Sequence, residues 1–225
     1  MSYLQSLTRL TRPAWPILLF SALAIAQQTS MPPATQDRPL KDRIASMERP
    51  ERDAWQKPEE VVKALELKNG EAVADIGAGT GYFARRFARA VAPDGKVYAV
   101  DIAADILGYL KERAEKENLG NLTTIVSRVD DPMLPRDAVG LAFFCDTTHH
   151  IENRVSFYRK LIPGLKEHGR MAIIDYPPGS PHAPHKPDQL VPRSQVISEA
   201  EEAGFKFVKD FQFLPYHYFL LFEKK

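Results

Sequence analysis

EAVADIGAGTGYFARRFARAV, from Glu71 to Val91, changes its period part-way along. Residues 71–76, EAVADI, read as a short strand. Residues 80–91 repeat their apolar positions at helical spacing. Between the two runs stand Gly77, Gly79 and Gly81, residues without a Cβ that let the chain turn sharply and approach a ligand closely. A strand, a glycine turn and a helix in this order build one wall of a ligand crevice in α/β sheets. Backbone amides at the start of the helix are expected to face that crevice.

The flanking sequence repeats the alternation. Upstream, residues 40–47 and 58–67 read as helices. Pro58 suits a first helical turn, Glu59 and Glu60 lie near the positive end of the helix dipole, and Gly70 offers a left-handed stop. Downstream, strands over 96–101, 122–127, 138–145 and 169–175 alternate with helices over 103–118, 151–166 and 193–203. A loop rich in proline and histidine spans 176–192. From Phe205 two aromatic-rich runs flank Leu214-Pro215 and read as a closing antiparallel pair. The expected architecture is therefore α/β: a doubly wound, mostly parallel seven-stranded sheet with a C-terminal antiparallel strand pair.

The spacing of the turn constrains the ligand. A dinucleotide fingerprint, G-x-G-x-x-G, would put its third glycine at position 82, where this chain has Tyr82. The third glycine falls at Gly81 instead, and Asp75 stands two residues before the first. A carboxylate there would repel a pyrophosphate and attract an ammonium group.

On these residues the chain resembles the class I, Rossmann-like methyltransferases that use S-adenosyl-L-methionine, over roughly residue 58 to the C-terminus. The segment VADIGAGTGYFARRFA, Val73 to Ala88, is similar to that family's first motif. The resemblance implies S-adenosyl-L-methionine as cofactor, held by Asp75, Gly77, Ala78, Gly79 and Gly81. It further implies that Asp101 accepts from the ribose hydroxyls and that Ile102 lines the adenine. A carboxylate in the loop after the third strand, Asp130 or else Asp131, would accept from the adenine amino group. Read locally, Asp101 also suits a helix cap, and two aspartates before Pro132 suit an ordinary turn.

The fourth strand runs into Cys145-Asp146-Thr147-Thr148-His149-His150. This is the acceptor side in the family, and the double histidine is similar to small-molecule methyltransferases of the ubiquinone and arsenite types. Asp146 would orient the acceptor or take its proton, and His149 or His150 would serve as general base, since imidazole titrates near neutrality. Helix-start capping or packing is the competing role for each histidine. Asp146, His149 and His150 could also gather His182 and His185 into a nitrogen and oxygen cluster. Their spacing matches no known ligand pattern, so no metal is expected.

A small-molecule acceptor is expected. The net charge of +1 and the lack of a basic, aromatic-interleaved stripe argue against nucleic acid. The lone Cys145 excludes an internal disulfide. Two other readings share the fold: a non-catalytic S-adenosylmethionine-binding module, and a nicotinamide-dependent oxidoreductase, which the glycine spacing disfavours.

Residues 1–26 follow a different rule. Arg9 and Arg12 precede the apolar run AWPILLFSALAIA, which ends in the small-x-small triplet Ala24-Ile25-Ala26. This is the layout of a secretory signal peptide or membrane anchor, followed by a polar linker over 27–39 and the methyltransferase domain over 40–225. Export or anchoring is expected, with the cytoplasm as the alternative, and any membrane contact would run through this segment. S-adenosyl-L-methionine is made in the cytoplasm, so an exported enzyme would need another supply.

Overall fold

The structure, a computed structural model, describes residues 38–225; the expected leader, and the linker up to residue 37, lie outside the described residues. Three short helices come first: α1 (Leu40–Met47), α2 (Arg52–Gln56) and α3 (Pro58–Ala64). The alternating body follows as β1 (Ala72–Ile76), α4 (Ala84–Ala90), β2 (Lys96–Asp101), α5 (Ala104–Lys116), β3 (Leu122–Val126), β4 (Val139–Cys145), α6 (Arg154–Leu161) and β5 (Leu165–Asp175). The chain closes with α7 (Arg193–Ala203), β6 (Phe205–Phe211) and β7 (Tyr218–Lys224).

The seven strands form one sheet in the order β3-β2-β1-β4-β5-β7-β6, as the alternation implied. The first five are parallel, whereas β7 runs antiparallel to both β5 and β6. Helices cover both faces, so the central strands alternate between two apolar layers. Val73, Leu141 and Phe143 pack with Phe83, Phe87 and Leu110 on one face. Ala74, Ala142 and Phe144 pack with Phe157, Tyr158 and Leu161 on the other. Each fully buried large side chain contributes about 1.5–3 kcal/mol. The glycine turn hangs from the most strongly buried part of the sheet and is therefore rigidly placed.

The elements depart from their sequence-based limits for local reasons. The helix expected over 58–67 stops at Ala64, because Glu66 takes a left-handed φ of 53°. The one expected over 80–91 starts only at Ala84, since Gly81 has φ 81° and holds residues 77–83 in turns. The one expected over 151–166 begins after Asn153, whose side chain accepts from the Ser156 amide. It ends at Leu161, and Pro163 has no amide proton with which to continue it. Residues 165–166, expected to end that helix, and 167–168, between expected elements, instead extend β5. The five-residue α2, which carries Trp55, is too short to display a period of its own.

A Cβ placed on Gly81 would lie 2.2 Å from Cδ1 of Leu110, which is fully buried. Gly81 is thus the contact at which α5 packs on the turn. Gly81→Ala is expected to destabilise the fold by roughly 2–4 kcal/mol, from overpacking and the positive φ together. Denaturant titration measures this, and a change below about 0.5 kcal/mol, the range of an ordinary surface substitution, would contradict it.

Candidate active site

The sheet order reverses between β1 and β4, and a crevice opens there at the carboxyl ends of the parallel strands. It encloses a volume of about 330 Å³, within the range of small-ligand sites. Its two halves differ in chemistry.

On the β1–β2 side, the amides of Gly77 and Ala78 both donate to the carbonyl of Val100, at 2.8 and 3.0 Å. The Gly79 amide donates to Asp101 Oδ2 at 2.8 Å. These three amides, expected to face the crevice, are therefore consumed inside the protein. A phosphate cradle would need them free. The hydrogen bonding thus agrees with the glycine spacing in disfavouring a pyrophosphate.

Two carboxylates line this half instead. Burial raises the Asp75 carboxyl to about 7, against the smaller opposing effects of the Ala84 amide and the Arg52 guanidinium. Burial also raises Asp101, while the amides of Ala103, Gly79 and Ile102 pull it back. Asp101 Oδ1 accepts from the Ala103 amide at 2.9 Å, so each of its oxygens holds one backbone donor and keeps a lone pair. The capping role and a ribose-binding role are compatible. Thr80 Oγ1 is buried without a partner on the same wall.

Gly77 and Gly79 have φ of 73° and 52° and line the crevice with Ala78 and Ile102. A Cβ at Gly77 would meet Thr147 Oγ1 at 2.3 Å, so this glycine lets the β4 loop lie against the turn. Gly81 is absent from the lining and packs against Leu110 as described above. Asp130 and Asp131 also stay outside. Asp130 points into solvent and pairs with Lys160 at 2.7 Å, while Asp131 accepts from the Met133 amide at 2.8 Å. The residues of this loop that reach the crevice are Ser127, Arg128 and Val129.

The front helices supply cations that sequence reading missed. Arg43 lines the crevice and forms a two-point pair with Asp105, at 2.7 and 3.2 Å. Arg52 lies 4.0 Å from the ring centroid of Tyr82 and 3.5 Å from Asp146 Oδ2. Asp53 accepts from the Tyr82 hydroxyl at 2.5 Å and so ties α2 to the glycine turn.

On the β4–β5 side, Cys145 is inert: burial raises its thiol well above the usual range, and Gln56 Nε2 lies 3.1 Å from its sulfur. Burial opposes ionisation of Asp146, but His217, Arg52 and His149 outweigh it and hold the carboxyl below its ordinary range. His217 Nε2 is 3.1 Å from Asp146 Oδ1, an ion-pair distance without hydrogen-bond alignment. Asp146 has a left-handed φ of 53°, tolerated better by aspartate than by most residues. Held between Arg52 and His217, it is a positioning group and a poor proton acceptor.

His149 is the better-built group. Its Nδ1 lies 2.7 Å from Asp175 Oδ1, and its backbone amide donates to Asp175 Oδ2 at 3.1 Å. Asp175 ends β5 and is fully buried. This pair fixes the ring and leaves Nε2, buried and unpartnered, with a lone pair. His150 and His185 stand beside it, with ring centroids 4.1 and 4.6 Å from that of His149. Desolvation, then the neighbouring His149 and His185, push His150 down to about 4, so it is a neutral imidazole at physiological pH. His182 is apart from this group, stacked on Tyr216 at 3.7 Å. Asp175 and His217 were not singled out in the sequence; the available signal was a carboxylate closing one apolar run and an imidazole just before another.

The methyltransferase domain family matches residues 67–204, more than half of the chain. The chain belongs to this family. Among relatives of this methyltransferase is a protein-L-isoaspartate O-methyltransferase of Ignicoccus hospitalis, 32% identical over 82 residues, covering 35% of this chain and 39% of that protein. Another is a ubiquinone/menaquinone biosynthesis C-methyltransferase of Pseudomonas paraeruginosa, 31% identical over 115 residues, covering 49% of this chain and 43% of that one. The matches thus span less than half the length of these relatives. A solved S-adenosylmethionine-dependent methyltransferase from Aquifex aeolicus superposes with TM-score 0.78 at 25% identity, over 84% of this chain and all of that one. Family and neighbour imply S-adenosyl-L-methionine as the cofactor. The residues present fit it: a buried carboxylate for its ammonium, a doubly accepting carboxylate for its ribose, and the unpartnered Thr80 hydroxyl.

Proposed function

We propose that this methyltransferase moves a methyl group from S-adenosyl-L-methionine to a small-molecule acceptor bound on the β4–β5 side of the crevice. The observation that carries the reading is the turn at Gly77–Gly79, whose inward-bonded amides and flanking carboxylates suit a cationic, ribose-bearing ligand. When bound, the cofactor supplies an activated methyl for in-line displacement, with the carbon–sulfur electron pair returning to sulfur. Asp75 would hold its ammonium end, and Asp101 its ribose. Trp55, Tyr176 and Ile151 give the acceptor half an apolar wall. His149, oriented by Asp175, presents the lone pair that takes the acceptor's proton. Asp146 orients the acceptor from its clamp between Arg52 and His217. Export or anchoring remains part of the proposal on the strength of residues 1–26 alone.

The test is calorimetric titration of the full chain with S-adenosylhomocysteine, the demethylated product. One site per chain is expected; a folded chain that binds none would overturn the reading. The raised Asp75 carboxyl adds a signature. Its folded value of about 7 lies above the ordinary 3.8, so the free protein binds a proton there and loses stability as pH rises from about 4 to 7. An ammonium beside it restores ionisation, so binding near pH 6 should release up to one proton. Affinity should be about tenfold weaker at pH 6 than at pH 8. Titrations in buffers of different ionisation heat measure the release, and Asp75→Asn should abolish it. Release that persists unchanged in that variant would remove Asp75 from the ammonium site.

A further inference from the structure

The acceptor half of the crevice holds a feature that proton transfer alone does not require. His149, His150 and His185 each present a ring nitrogen, and the three donor atoms all lie within 4.8 Å of one another. The rings converge, with centroid separations of 4.1, 4.6 and 5.2 Å. His149 brings the most information. Its side chain is 2% exposed, its Nδ1 is bonded to the buried Asp175, and its Nε2 has no partner. Leaving a buried ring nitrogen unsatisfied costs about 1–3 kcal/mol. A carboxylate on the far nitrogen of a histidine is also how metal-binding imidazoles are oriented and made more basic.

We propose that His149, His150 and His185 bind one divalent transition-metal ion of the zinc class, with Asp175 positioning His149. Three neutral imidazoles suit such a metal and do not suit magnesium or calcium, which prefer oxygen donors. Bonds of about 2.0–2.1 Å at tetrahedral angles put donor atoms about 3.4 Å apart, so the widest separation in the cluster must close by up to roughly 1.4 Å. His149 is fixed, but His150 is exposed and His185 belongs to the loop between β5 and α7, so these two rings have room to turn inward. Asp146 and His182, which the sequence could have added to the set, are held elsewhere by Arg52, His217 and Tyr216.

Three protein ligands leave a fourth position open to the crevice, the arrangement of a reactive site rather than a closed structural one. This last point rests on the acceptor being bound here. With the ion seated, the His149 lone pair is committed to it, and an oxygen or sulfur acceptor on the open position would have its pKa lowered by the metal and give its proton to solvent water. The same ion would tie the loop carrying His185 to the end of β4.

The experiment uses the full chain, without a histidine tag, titrated with cobalt(II) and followed by visible absorption, with zinc(II) competition. One equivalent is expected, with the intense bands of a four-coordinate site, displaced by zinc. His150→Ala and His185→Ala change partly exposed rings. Each should weaken cobalt binding by more than the roughly 10–100-fold that loss of an outer-shell partner costs. Asp175→Asn should fall within that range. No stoichiometric uptake by the wild-type chain, or unchanged uptake in both histidine variants, would overturn the site. S-adenosylhomocysteine binding is measured on the same samples. Its failure beside intact cobalt binding would overturn the methyl-transfer reading and leave the metal site standing.

Discussion

His149→Ala is expected to lower kcat by roughly 10²–10⁴-fold, the usual worth of a positioned acid–base group, while leaving the affinity for S-adenosylhomocysteine nearly unchanged. The separation follows from position. His149 lies beyond β4 and is oriented from β5, whereas the expected cofactor contacts sit on β1, β2 and their loops. The loss holds whether the Nε2 lone pair meets the acceptor's proton or an ion that polarises the acceptor, since alanine removes the donor in both cases. Turnover with a responsive acceptor and product titration, made on one preparation, measure the two quantities. A fall in product affinity as large as the fall in kcat would show that the variant had disturbed the whole crevice.

Asp101→Ala should act on the other half. The carboxylate accepts two backbone amides and, in the proposed complex, two ribose hydroxyls. Hydrogen bonds to charged groups are worth about 1.5–3 kcal/mol each, so loss of the ribose pair alone predicts roughly 10²–10⁴-fold weaker S-adenosylhomocysteine binding. The Gly79 amide also loses its partner, which loosens the turn. Asp101→Asn is milder, because its single amide oxygen keeps one of the two backbone bonds while its NH₂ group accepts from neither an amide nor a hydroxyl, so a smaller loss of both stability and product affinity is expected. If alanine weakened stability but left product affinity within about threefold, a shift of only ~0.6 kcal/mol, Asp101 would be a helix cap and nothing more.

Much of this architecture was legible because it follows from local periodicity. The step from a buried run at residues 72–76 to a helix beyond Gly81 sets the crevice, and the apolar stretch ending at Cys145 places its second wall. The acceptor-side pair was only half visible. His149 could be singled out for its place after β4, but its partner Asp175 comes 26 positions later, at the end of another strand. Only parallel pairing of β4 with β5 brings them together. Asp130 and Asp131 are the opposite case. Their local chemistry also serves a turn, and here Asp131 accepts from the Met133 amide while Asp130 pairs with Lys160. Arg43 and Arg52 lie on short helices with little apolar periodicity, so their direction is set by distant carboxylates and could not be read from neighbours.

The front helices have one more implication. The only buried residue of α1 is Arg43, and its neighbour Glu48 pairs with Arg85 at 3.0 Å and Arg113 at 2.7 Å. This flank is moored by charge far more than by apolar contact. At physiological ionic strength the screening length is about 8 Å, shrinking to ~3 Å in 1 M salt. These pairs are partly buried and screened less than exposed charges, so the mooring should outlast moderate salt and slacken only in concentrated electrolyte.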